Sequence, residues 1–145
     1  MLKYLILISY LFISFSSANI LEIDNKTKSY DLLPHSKIYI DNTKSLDLQD
    51  IYKRDREFKH NNKKLLAYGY APDFNVWVKF TLKNSTDKPL NKIIEYGNPL
   101  ATHIEFFNLT DNYVEKEGLF QVKKNRKTIN PVFKIKLQAN ESKTR

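Results

Sequence analysis

The single tryptophan, Trp77, is the residue in this sequence best suited to holding a ligand. It alternates with Val76 and Val78, so its ring projects from the side of an extended segment opposite the apolar face, beside Lys79 and Thr81. An aromatic ring in that position stacks on sugars and other flat ligands. If both faces of the strand are covered, the same ring is simply core, which is the plainer of the two readings.

Groups that could do catalysis are scattered. His35, His60 and His103 sit in unrelated contexts, and none has a second ligand at the short helical spacing that a metal site uses. With only three glycines, a phosphate-cradling loop is excluded, and no serine occupies a nucleophile elbow. The absence of cysteine removes thiol chemistry and thiolate-held metals. Glu95 and Glu105, on neighbouring predicted strands, are the one carboxylate pair with any claim to glycosidase-type chemistry, and solvated carboxylates explain them as well. The reading is therefore binding, not catalysis, with no cofactor and no metal.

Positioning these residues requires strands. Val76, Val78, Phe80 and Leu82 alternate with Trp77, Lys79, Thr81 and Lys83, which predicts a strand with one wholly apolar face. Phe133, Ile135 and Leu137 alternate with Lys134, Lys136 and Gln138 in the same way, and Ile104 with Phe106. Lys37 to Asp41, Leu65 to Tyr70, Leu90 to Tyr96, Tyr113 to Glu117 and Leu119 to Val122 read as further strands. Between Ser45 and Phe58 the helical spacing of Leu48, Ile51 and Tyr52, after a capping Asp47, predicts one or two helical turns. Short strands with polar turns about every ten residues point to an all-β sandwich or barrel.

Met1 to Ala18 carries Lys3, an uncharged apolar stretch from Tyr4 to Phe15, and the small residues Ser16-Ser17-Ala18. That is the pattern of a cleavable signal peptide, too short to span a bilayer. One domain, residues 19–145, remains for the periplasm. The net charge of +8 rests on Lys spread along the chain and on very few Arg, a poor match to nucleic-acid recognition. The Asn-x-Ser/Thr triplets at Asn25, Asn84, Asn108 and Asn140 reflect abundant Asn and carry no glycan meaning in a bacterial protein.

Taken in order, several stretches resemble a known family. These are Val76-Trp77-Val78-Lys79-Phe80-Thr81-Leu82-Lys83-Asn84, Asn98-Pro99-Leu100 with Ile104-Glu105-Phe106-Phe107, then Gly118, Arg126 and Asn130-Pro131-Val132-Phe133. Together they are similar to the type 2 extracellular domain of bacterial seven-transmembrane receptors with diverse intracellular signalling modules. The resemblance implies a periplasmic jelly-roll sandwich like those of carbohydrate-binding modules, placed between a signal peptide and seven membrane helices. The family often has Arg where Lys79 stands. A further strand and then the membrane helices are expected where the chain stops, at Asn140 to Arg145, which implies a truncated receptor.

The expected function is a ligand-sensing domain of a signal-transduction receptor, with a small-molecule or carbohydrate ligand. Trp77, Lys79, Tyr96 and Arg126 are its expected binding residues, and the membrane portion of a receptor is a further partner. The alternative is a free-standing periplasmic carbohydrate-binding or adaptor protein. A hydrolase using Glu95 and Glu105 ranks third.

Overall fold

Alternating side chains make an extended segment amphipathic, and ten such residues in a row build the longest strand of the protein. A computed structural model describes residues 20–69, 72–109, 111–121 and 128–145. The expected signal peptide, Met1 to Ala18, lies outside the described residues, as do Val122 and Arg126. The strands are β1 (Ile20–Ile23), β2 (Ser36–Asp41), β3 (Lys59–His60), β4 (Asn75–Asn84), β5 (Leu90–Glu95), β6 (Ile104–Asn108), β7 (Tyr113–Glu117), β8 (Val132–Leu137) and β9 (Ser142–Thr144). A short α-helix, α1 (Leu48–Lys53), lies between β2 and β3, and 3-10 turns form at Leu33–His35 and Asp55–Glu57. The fold is an all-β sandwich.

Strand β4 organises one layer. Its first half pairs antiparallel with β2, placing Tyr39 opposite Trp77 and Lys37 opposite Lys79. Its second half pairs parallel with β1 and antiparallel with β9, where Lys143 lies opposite Leu82. The other layer consists of two separate ribbons, β5 with β8 and β6 with β7.

The core lies between the layers. Phe80 and Leu82 from β4, Leu21 and Ile23 from β1, Leu90 from β5, Phe106 from β6, and Phe133, Ile135 and Leu137 from β8 form one buried cluster, with Val78, Ile94 and Ile104 packed against it. Phe106 stacks on Phe133 with centroids 4.9 Å apart. Each such side chain contributes about 1.5–3 kcal/mol of burial, so the predicted alternations of β4 and β8 carry most of the packing.

Two predicted strands do not form. Leu65 to Gly69 is irregular, with Leu65 72% exposed, and Leu119 and Phe120 form a turn closed by the Gln121 amide on the Gly118 carbonyl, with Phe120 77% exposed. Both runs are apolar enough to suggest a strand, yet among the described residues neither has a ladder partner. Strands also form at the two ends of the described chain, β1 with Leu21 and Ile23 buried and the polar β9, because both find an edge on β4.

Gly118 closes β7 at φ +131°, and a Cβ there would come within 2.5 Å of the Thr102 carbonyl oxygen. The residue must be glycine because the chain crosses the segment leading into β6 at backbone contact. Leu119 and Phe120 then donate backbone hydrogen bonds to Ala101 and Thr102.

Candidate functional site

Adjacent residues of a strand point to opposite sides, and in β6 this divides two aromatic rings between two environments. Phe106 enters the core, while Phe107 turns away from it and stacks on Trp77, with centroids 5.4 Å apart and an interplanar angle of 28°. The Trp77 ring is half-buried, and its Nε1 has no hydrogen-bond partner among the described residues.

Helix α1 and Phe107 line one cleft. Asp47 caps it by accepting a 2.9 Å hydrogen bond from the Asp50 amide, as the sequence predicted. Ile51 is buried, and the neighbouring face carries Leu48, Gln49 and Tyr52 at helical spacing. The segment after the helix is anchored on β2 and β4. Asp55 pairs with Lys79, and Phe58 packs on Tyr39 at 5.7 Å.

Between α1 and the β6–β7 hairpin lies a cleft of about 200 Å³. Tyr52, Phe107, Tyr113 and Val114 supply apolar and aromatic walls, and Gln49, Asn108 and Asn112 supply amides. Tyr52 is 51% exposed and Tyr113 40%, so both rings present faces to solvent. The hairpin turn is held from within. Asn108 Oδ1 accepts from the Asp111 amide at 3.0 Å, Asn108 Nδ2 donates to Asp111 Oδ2 at 2.7 Å, and Asn112 adopts φ +50°. Asn108 is thereby committed to the turn, which leaves Gln49 and Asn112 as the amides available to a ligand.

The charges around the cleft are paired. Asp111 accepts from Lys143 at 3.2 Å, and this bond, with that from Asn108, holds its carboxyl below the usual carboxylate range. Glu105 is held low by Lys116 at 2.6 Å, with His103 at 3.0 Å adding to the effect. Among the described residues, no group of His, Asp and Glu is placed to hold a metal.

The four expected binding residues are distributed unevenly. Trp77 and Lys79 share the face of β4 opposite Phe80 and Leu82, but Phe107 takes the ring and Asp55 takes the ammonium. Tyr96 stands just past β5, in the other layer, with its amide bonded to the Pro131 carbonyl. Arg126 falls outside the described residues. Glu95 and Glu105 lie on different ribbons and have different partners, Asn130 for the first and Lys116 for the second. Reasoning from sequence missed Tyr52, Phe107 and Tyr113 as a group. Phe106 and Phe107 side by side were the available signal, because two neighbouring rings in a strand must serve two different surfaces.

A family model described as 7TMR-DISM extracellular 2 matches residues 33–145, the larger part of the chain. No curated protein and no solved structure matches it.

Proposed function

The chain belongs to the 7TMR-DISM extracellular 2 family, and from that premise we propose that it is the periplasmic ligand-sensing domain of a bacterial signal-transduction receptor, with a small carbohydrate as ligand. The single observation that carries this reading is the cleft between α1 and the β6–β7 hairpin. Exposed aromatic faces beside side-chain amides suit a sugar, whose C–H faces stack on rings while its hydroxyls take donors and acceptors. The cleft's volume of about 200 Å³ lies below the roughly 300–1,000 Å³ that drug-sized ligands occupy. A single sugar ring therefore fits the size better than a longer chain.

Trp77 lies behind the cleft, in contact with Phe107, which makes it a support for the binding wall and a natural reporter of it. Export follows from the leader over residues 1–18. Amino-terminal sequencing of the mature protein from the periplasm is expected to begin at Asn19.

The test is titration of the purified chain with a panel of mono- and disaccharides, followed by the fluorescence of its one tryptophan. A saturable change is expected with at least one sugar. Tyr113→Ala should weaken that sugar about tenfold or more without lowering the melting temperature, a loss typical of an aromatic anchor. Flat titrations across the panel, or equal affinity in the variant, would remove the carbohydrate reading of this cleft.

A further inference from the structure

The inner face of β9 is cationic where a sandwich strand is normally apolar. Lys143 lies opposite Leu82, and the Arg145 backbone exchanges two hydrogen bonds with Phe80, at 2.8 and 3.0 Å. Leu82 and Phe80 both point into the core, so Lys143 and Arg145 turn the same way. Each is only 6% exposed.

A buried ammonium is tolerated only with partners. Lys143 finds Asp111 at 3.2 Å and Glu141 at 3.4 Å. Asp111 belongs to the β6–β7 turn and bonds through both side-chain and backbone atoms to Asn108, which lines the cleft. Arg145 adds its charge to the field at Asp111, and it also feels Tyr113, another lining residue. Two strands in different layers are thus tied by one carboxylate, and that carboxylate fixes one wall of the cleft.

We propose that Asp111 and Lys143 form a relay through which the contents of the cleft set how firmly β9 pairs with β4. The proposal rests on the cleft being the binding site, but the relay itself is testable with no sugar. A group that shifts the turn moves Asp111 away from Lys143. Among the described residues the buried ammonium then keeps only Glu141 as a carboxylate partner, and the three-residue strand β9 loosens. Linkage makes the effect reciprocal, so loosening β9 also frees the turn.

The experiment uses the absence of native cysteine. In the full chain, Val114→Cys, on the cleft wall, is labelled with a bulky naphthyl maleimide, and amide hydrogen exchange is compared before and after labelling. Exchange at residues 142–145 is expected to change roughly fivefold or more, the usual lower range for coupled sites. The β5–β8 ribbon should not change. Asp111→Asn in the same background should abolish the response, and Lys143→Arg, which keeps the charge, should retain it. Identical exchange at residues 142–145 with and without the label would overturn the relay, as would an undiminished response in Asp111→Asn. If Asp111→Asn proves unstable, Lys143→Met replaces it, and an undiminished response there is equally fatal. A relay that works in a protein deaf to every sugar would leave the relay standing and remove only the carbohydrate.

Discussion

Trp77 and Phe107 meet across two strands that share no ladder, one in the five-stranded layer and one in the β6–β7 ribbon. A stacked pair of this kind is worth about 1 kcal/mol beyond its buried area. The indole nitrogen works against it, because a buried N–H without an acceptor costs on the order of 1–3 kcal/mol.

These two effects predict the outcome of substitution. Trp77→Phe keeps a ring on Phe107 and removes the orphaned donor, so its stability should lie within about 1 kcal/mol of the native protein. Trp77→Ala should lose about 2–4 kcal/mol, because it leaves a void beneath the ring of Phe107. Urea unfolding followed by circular dichroism measures both, and a Phe variant as unstable as the Ala variant would refute the assignment.

Gly118→Ala should destabilise strongly. The position combines a backbone angle that L residues avoid with a 2.5 Å approach to the Thr102 carbonyl. Strain alone costs about 1–3 kcal/mol, and the backbone contact cannot be relieved by a rotamer change. A melting temperature unchanged by this substitution would mean that the crossing of β7 and the Thr102 segment is looser than described.

Asn84 is fully buried at the end of β4. Its amide donates to the carbonyls of Lys88 and Gln138, and its oxygen accepts from the Thr86 amide and hydroxyl. Asn84→Ala leaves those groups unsatisfied and should cost about 2–3 kcal/mol. Equilibrium unfolding checks the value, and a loss below a few tenths would show that water replaces the side chain.

Acid sensitivity follows from depressed carboxyls. Asp24 is lowered from 3.8 to about 2 by hydrogen bonds from the Thr27 amide, the Tyr30 hydroxyl and the Lys26 amide. A depressed folded-state value contributes stability that is present above pH 3.8 and is lost as pH falls through about 2. Asp111, held low first by Lys143, and Glu105, held low first by Lys116, act in the same direction. The urea midpoint should therefore decline on acidification below about pH 4. In Asp24→Asn that decline should be shallower, and an identical acid limb would contradict the assignment.

The sandwich was legible where one face of a strand is greasy and the other is not. The period of two in β4 and β8 places Phe80, Leu82, Phe133, Ile135 and Leu137 in the core without ambiguity. Leu65 to Gly69 and Leu119 to Gln121 misled because apolar content says nothing about whether a ladder partner exists. β9 was hidden for the opposite reason. Its inward residues are Lys143 and Arg145, and only the three-dimensional position of Asp111 makes an inward lysine tolerable. The cleft was illegible on the same grounds, since Tyr52, Phe107 and Tyr113 belong to separate elements that pattern alone cannot bring together.

The second layer has a seam. Among the described residues no ladder joins the β5–β8 ribbon to the β6–β7 ribbon, so the Phe106–Phe133 stack crosses that gap with side chains alone. Aromatic faces slide over one another far more easily than a hydrogen-bonded ladder shears. A displacement of the β6–β7 ribbon against the β5–β8 ribbon would therefore disturb side-chain packing, Phe106 on Phe133 first, and break no ladder hydrogen bond between the two.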